Sequence, residues 1–202
     1  MRSVLRRAGA AVLAGFALAL TGCATGYLLD NNVQSFSHLT AVPSPATYRF
    51  ERLPSQSADP VQSQLEALAD PALHKAGFRR DDSQPRYSVQ VTARVERVPS
   101  PYSDPWDRFG FGWGFSGRRW GIGGGLGRLE SPWYRREVGL VVRELAGNKV
   151  VYETRAANDG PWLDNASVLP AMFDAALQGF PNAPQGLRRV DIHVGAPAAA
   201  PR

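Results

Sequence analysis

The sequence is poor in the side chains that most often hold metals or form disulfides. Its 202 residues include one cysteine, Cys23, and three histidines. A single cysteine allows no disulfide within the chain, so in an oxidising compartment the fold has to be stabilised by packing. His38, His74 and His193 lie far apart and show no ligand spacing, so no metal site is predicted.

Sequence motifs of common enzymes are also missing. No loop ends in Gly-Lys-Ser/Thr, and neither G-x-S-x-G nor H-E-x-x-H occurs. Gly112 to Gly117 matches G-x-G-x-x-G by letter, but more glycine follows where a dinucleotide site needs a helix. Asp104 and Asp107, beside Trp106, are the only acids near this stretch that could resemble a carboxylate pair. We therefore predict no catalytic residue and no cofactor.

The charge of the chain is small once its N-terminus is set apart. The formal net charge is +5, from 23 basic and 18 acidic residues. Residues 1–22 contain three arginines and no acid, so 20 basic residues remain against 18 acidic ones, a net charge of +2. Nucleic-acid binding needs a much stronger basic footprint, so no nucleic-acid partner is predicted.

The N-terminus carries the most specific signal. Three arginines, at positions 2, 6 and 7, precede an apolar run over residues 8–20 that is too short to span a bilayer as a helix. Leu20-Thr21-Gly22-Cys23 then resembles the lipobox of bacterial lipoproteins. The resemblance implies a signal peptide over residues 1–22, cleavage before Cys23, and acylation of the Cys23 sulfur and of the new amino group.

Lipidation at Cys23 would make the membrane the first partner of this chain. Two or three acyl chains anchor a protein firmly, whereas a single chain binds only marginally. Position 24 is alanine rather than aspartate. By resemblance to the sorting signals of enteric bacteria, this favours the outer membrane, with the protein facing the periplasm.

Composition and periodicity predict one folded domain with flexible ends. We expect a flexible tether over residues 23–46, a single α+β domain over residues 47–195 with an insertion at 99–132, and a disordered tail over residues 196–202. The predicted fold is a two-layer sandwich. Its antiparallel or mixed sheet has about five strands in the order β-α-β-β-β-α-β, with two helices on one face.

The elements behind this order come from apolar spacing and capping residues. Asp59 is predicted to cap a first helix that carries an apolar stripe and ends at Gly77. This helix is expected to kink or restart at Asp70-Pro71. Ser167 is predicted to cap the second helix. The stripe consists of Val61, Leu65, Leu68 and Ala72. Strands are predicted at residues 47–53, 86–98, 133–145, 149–156 and around Val190, Ile192 and Val194, with a loop at residues 158–165.

The insertion contains an unusual glycine-rich stretch. Glycine alternates with aromatic residues over 109–115, and over 120–127 it alternates with Trp120, Ile122, Gly124 and Leu126. The stretch predicts either a hairpin with an aromatic face or a flexible glycine loop. As a hairpin it is a candidate binding surface for an envelope protein, a glycan or a lipid. Its rings could equally lie in the membrane interface or cover the domain's own core. The candidate residues are Trp106, Phe109, Phe111, Trp113, Phe115, Arg118, Arg119 and Trp120.

Several short segments follow one another in a recognisable order. They are Tyr48-Arg49-Phe50, residues 73–78, residues 150–156, and Phe180-Pro181 followed by Pro184, Gly186 and Arg188. This series resembles the bacterial lipoproteins of domain-of-unknown-function family 4136. A glycine-rich insertion at this place is also typical of that family. The resemblance implies an envelope lipoprotein, and the family carries no known active site.

Taken together, the sequence predicts a membrane-anchored cell-envelope lipoprotein with a non-enzymatic accessory, structural or binding role. The alternative is an envelope-polymer hydrolase, or another enzyme whose site the sequence does not reveal. A passive structural spacer is a third possibility.

Overall fold

The computed structural model describes residues 26–102 and 132–195. This part of the chain forms one mixed seven-stranded sheet with two α-helices. The elements are β1 (Tyr27–Ser37), β2 (Thr47–Phe50), a 3-10 turn (Pro54–Gln56), α1 (Pro60–Lys75), β3 (Arg79–Arg80), β4 (Tyr87–Val98), β5 (Trp133–Glu144), β6 (Lys149–Gly160), α2 (Asn165–Leu177) and β7 (Leu187–Val194). The α+β class predicted from the sequence is confirmed.

The strands lie in the order β3-β2-β4-β5-β6-β1-β7. β2 pairs in parallel with β3 and β4, and the other pairs are antiparallel. The sheet therefore has seven strands where about five were predicted. The two additional strands are β3, which has only two residues, and β1.

β1 corrects the prediction of a flexible tether over residues 23–46. It is an interior strand between β6 and β7, and Leu29 and Val33 on it are fully buried. The sequence conceals this strand because Asn31 and Ser35, two of its inward positions, are polar. Asn31 Nδ2 donates to the carbonyls of Leu29 and Val190, and the Ser35 hydroxyl bonds to that of Thr154, so both polar residues are accommodated in the interior.

The start of α1 is as predicted, because the Asp59 side chain accepts a hydrogen bond from the amide of Val61. One helix spans Pro71, so the helix does not restart there. The predicted apolar stripe is partly wrong. Val61 is 66% exposed, whereas Gln62 and Glu66 are buried with Ala69, Ala72 and Leu73.

A polar network explains which side of α1 is buried. Arg52 donates to both Glu66 carboxylate oxygens, over 2.6 and 2.5 Å. Gln62 Nε2 donates to Glu66 Oε1 and to the carbonyl of Val91. Paired and hydrogen-bonded charges tolerate burial, so this side of α1 packs on the sheet although it is not apolar.

α2 begins three residues earlier than predicted. Its N-cap is Asp164, which accepts from the amide of Ala166 and from the Ser167 hydroxyl. β6 also continues to Gly160, so residues 158–160 of the loop predicted over 158–165 are strand, and residues 161–164 form the connection to α2. The predicted cap at Ser167 is therefore a residue of the first turn that supports the actual cap.

The two helices pack against each other, α1 also against β4 and α2 also against β1, β5, β6 and β7. Buried side chains of the strands point to the helices, and Asn32, Gln34, Phe36 and Arg155 on the opposite side of the sheet are exposed. Among the residues described, neither helix has the length and apolar character needed to span a bilayer.

The two ends of the sheet differ in which parts of the chain meet there. Tyr27 pairs with Val194, Val98 pairs with Trp133, and Gly160 closes β6 beside Tyr134, so these strand ends lie together. We call this end, from which residues 99–132 leave and return, the insertion end. The distal end is the opposite one, where β6 starts and α1 and α2 finish.

Candidate functional site

The residues that the sequence singles out as functional lie outside the described part of the chain. This applies to Cys23 and to the whole candidate binding surface, Trp106, Phe109, Phe111, Trp113, Phe115, Arg118, Arg119 and Trp120. Their roles stay predictions. The structure does describe the residues at the insertion end from which this surface extends, where Val98 and Trp133 lie opposite each other.

Arg136 is the most unusual residue at the insertion end. It lies in β5 and is fully buried. Its Nε donates to Asn165 Oδ1 over 2.8 Å, and its Nη2 donates to the carbonyl of Trp162. Its guanidinium carbon is 5.0 Å from the centre of the Tyr134 ring, a cation–π distance. Arg136 thereby ties β5 to the segment that leads into α2.

Burial lowers the pKa of Arg136, since a low-polarity environment disfavours the charged form. An arginine still remains protonated in a protein. Among the described residues none of the ion pairs includes Arg136, and its buried Nη1 has no hydrogen-bond partner. The insertion end thus contains a buried positive charge with one donor nitrogen, carrying two N–H groups, to spare, an arrangement that costs free energy unless something accepts hydrogen bonds from it.

Two asparagines extend this polar group across the neighbouring strands. Asn158 lies directly opposite Arg136, and Asn31 lies on β1 beside Asn158, because the next pair in register is Asn32 with Ala157. The Oδ1 atoms of both asparagines are buried without a partner. The row therefore offers one spare donor nitrogen and two spare acceptor oxygens, which an ordered water or a polar ligand group could satisfy.

Aromatic side chains lie at the same end of the sheet as this row. Tyr27 stacks on Trp162 with ring centres 4.0 Å apart, and Tyr102 meets Trp133 edge-on at 5.7 Å. Tyr27, Trp133, Tyr134 and Trp162 are partly exposed, and Tyr102 is 84% exposed. Burial and the nearby Asp164 carboxylate raise the pKa of Tyr27, so its hydroxyl stays neutral.

The helix layer stops short of this end. Gln62, in the first turn of α1, reaches the carbonyl of Val91. Ala93 and Val95, which continue β4 on the same side of the sheet, are exposed, and Val95 pairs with Arg136. The β4–β5 hairpin thus extends beyond α1 and leaves apolar side chains open next to the buried arginine.

A groove of about 460 Å³ lies elsewhere, between the C-terminal ends of the helices. The ion pair of Lys75 and Asp174, 2.7 Å long, lies at the groove, and Val42, Phe180 and Ile192 contribute apolar walls. In the part of the chain that the structure describes, no group of three or more His, Cys, Asp or Glu side chains could hold a metal. The groove can accommodate an apolar group, but its lining shows no arrangement suited to acid–base catalysis.

The sequence analysis did not predict the row of Arg136, Asn158 and Asn31. Of the three, only Arg136 lies in a sequence pattern that could have marked it as unusual. Arg136 shares its side of β5 with Val138, Leu140 and Val142, all fully buried. A charged residue in phase with an apolar strand face is unusual, and it marks the position as worth testing. The asparagines follow only from the pairing register.

These features define the class of protein: a single-sheet α+β domain with a polar and aromatic site at the insertion end. The chain belongs to the family described as Domain of unknown function (DUF4136), which matches residues 32–182. The resemblance of the domain to this family, noted in the sequence, is thereby confirmed.

No curated protein matches the chain. Among solved structures, a PDZ domain protein from Parabacteroides distasonis aligns at 12% identity with a TM-score of 0.48, covering 88% of this chain and 41% of its own. The chain thus spans less than half the length of that protein. PelC from Paraburkholderia phytofirmans, solved as a dodecamer, aligns at 13% identity with a TM-score of 0.44, covering 73% of this chain and 94% of its own. Likeness at this level carries no argument about function.

Proposed function

We propose that this protein is a cell-envelope lipoprotein, anchored through Cys23 in the outer membrane and facing the periplasm. The lipobox-like sequence before Cys23 supports the anchor. The start of β1 adds a structural argument, since only three residues separate Cys23 from Tyr27. Four residues of chain span at most about 14 Å. The domain is then held directly against the membrane, and no long tether separates the two.

We further propose that its role there is non-enzymatic, as an accessory or binding module. The observation that carries this is the insertion end, where the buried Arg136 keeps a spare donor among aromatic side chains. Arginine and aromatic rings recur in binding hot spots because they combine large contact area with hydrogen bonding. The ligand would be an envelope protein, a glycan or a lipid that reaches the aromatic residues of the insertion, and the small net charge argues against nucleic acid.

Metabolic labelling tests the anchor. Cells that express the full chain are fed radioactive palmitate, and Cys23→Ser is the matched variant because it removes only the acylated sulfur. We expect label in the wild-type protein and none in the variant, with the wild type in the outer-membrane fraction. Equal labelling of the two proteins, or none in either, would contradict anchoring at Cys23.

Photo-crosslinking in living cells tests the binding role. The reactive group is placed in turn at Phe111, Trp113 and Trp120, and at Phe36 as a control. Phe36 is 57% exposed on the open side of the sheet. A discrete crosslinked species from the insertion positions that is absent from Phe36 supports a recognition surface. The same pattern from all four positions, or no product from any, would count against it.

A further inference from the structure

The insertion end of the sheet combines the entry of the chain with exposed aromatic and apolar side chains. We propose that this end is a membrane-contacting surface, which lies on the lipid bilayer that holds Cys23. The inference rests on the proposed anchor. It goes further by assigning a lipid surface as the partner of residues in the folded domain, outside the insertion.

The first argument is where the chain enters the fold. β1 starts at Tyr27 at the insertion end, where Tyr27 pairs with Val194 and stacks on Trp162. Cys23 lies four residues earlier and so within about 14 Å of this end. The strands run away from that point over eight to twelve residues in β1 and β4 to β7. A lipid on Cys23 therefore brings the insertion end to the bilayer and leaves the distal end pointing away.

The second argument is which side chains this end exposes. Tyr102 is 84% exposed, Leu163 is 69% exposed and Leu28 is 46% exposed. Trp133 and Trp162 are partly exposed beside them. Tryptophan and tyrosine rings favour the interface between lipid headgroups and acyl chains, and leucine inserts beneath it. Single exposed apolar residues are ordinary on a protein surface, and the distal end has them too, in Phe36 and Leu187. The tyrosines and tryptophans that are at least partly exposed in the described part of the chain, however, all lie at the end nearest the predicted anchor.

The charges at the insertion end determine whether contact should depend on anionic lipids. Arg135 and Asp159 face each other on neighbouring strands at 3.3 Å, and Arg94 pairs with Glu96. Asp164 is held by the cap of α2. Arg97 and Glu137 are also exposed at this end. With the buried Arg136 these groups number four positive and four negative, so contact should come from aromatic and apolar insertion and not from attraction to anionic headgroups. It should therefore depend little on salt or on lipid charge.

Two leucines provide a matched test. Leu163, before α2, is 69% exposed at the insertion end, and Leu187, at the start of β7, is 72% exposed at the distal end. Leu163→Cys and Leu187→Cys are made separately in the full lipidated chain, where the acylated Cys23 sulfur does not react. Each is labelled with an environment-sensitive fluorophore and reconstituted into phosphatidylcholine vesicles.

We expect the label at position 163 to shift to the blue, to be shielded from aqueous iodide, and to be quenched several-fold more by nitroxide lipids than the label at position 187. The result should be the same when phosphatidylglycerol is added. Palmitate incorporation is measured on the same preparations. If palmitate is present but both labels respond alike, the membrane-contacting surface is overturned while the anchor stands. If contact requires anionic lipid, the apolar mode of contact is overturned. If palmitate is absent, the anchor fails and the inference falls with it.

Discussion

Aromatic residues gather at both ends of the sheet, yet the two groups are built differently. At the distal end, Tyr48, Phe78, Tyr87 and Tyr152 are at most 2% exposed. Phe78 meets the rings of Tyr48 and Tyr87 edge-on at 6.0 Å. At the insertion end, Tyr27, Trp133, Tyr134 and Trp162 remain partly exposed. The same residue types thus form a core at one end and a surface at the other.

The helices account for this difference. α1 and α2 finish at the distal end, where Tyr48 also donates a hydrogen bond to Asp70 of α1 and burial raises the pKa of Tyr48. Toward the insertion end, α1 begins only at the level of Val91 and so leaves Val95 exposed. Rings that are covered mainly stabilise the fold, whereas partly exposed rings remain free to contact something else.

The largest effect should come from the distal aromatic cluster. Phe78→Ala removes a fully buried ring that contacts the rings of Tyr48, Tyr87 and Phe180. We expect the free energy of unfolding to fall by about 3–5 kcal/mol, as is typical when a buried phenylalanine leaves a cavity. Urea denaturation of the purified protein measures it. A loss below about 1 kcal/mol would show that this end is not the main core.

Arg136 gives the next prediction and sharpens the contrast. Arg136→Ala leaves Asn165 Oδ1 and the Trp162 carbonyl without their charged donor, so we expect a loss of about 2–4 kcal/mol. Arg136→Lys should recover only part of it, because one ammonium group cannot reproduce the planar fork. Arg135→Ala is the control, since Arg135 is exposed and its ion pair contributes little. Equal denaturation midpoints for Arg136→Ala and Arg135→Ala would contradict a structural role for Arg136.

The sequence predicts the distal end of the sheet better than it predicts the insertion end. In β5 the alternation of Val138, Leu140 and Val142 marks a buried face, and all three are fully buried. β1 escapes prediction because Asn31 and Ser35 interrupt its alternation. Their burial depends on partners distant in sequence, Val190 and Thr154, which periodicity cannot reveal.

The candidate site was even less predictable, because it depends on register. Arg136, Asn158 and Asn31 come from three separate strands and meet only because β1, β6 and β5 are neighbours. The glycine-aromatic stretch was the binding surface predicted from the sequence, but it lies outside the described residues. A local pattern can indicate a strand or a cap, whereas a site formed across strands needs the topology first.

A smaller effect on stability is expected at the ring pair of Tyr27 and Trp162. Tyr27→Ala should lower the free energy of unfolding by about 1 kcal/mol, the range of an aromatic pair on a partly exposed surface. Tyr27→Phe keeps the ring, so its unfolding curve should match that of the wild type. If Tyr27→Ala destabilised the protein as much as Phe78→Ala, the insertion end would be part of the core after all.

The smallest effect is expected at the cap of α2, where a small part of the stability depends on an ionised carboxylate and is lost in acid. The hydrogen bond from the Ser167 hydroxyl, with those from the amides of the first turn, lowers the pKa of Asp164. A carboxyl group whose pKa is lower in the folded state stabilises the fold above its unfolded pKa, about 3.9, and this contribution is lost as the pH falls through the folded value. Asp164→Asn keeps a good N-cap without the charge. The wild type should therefore lose more thermal stability than Asp164→Asn between pH 5 and about pH 2, and parallel melting curves over that range would show that the cap does not depend on the ionised carboxylate.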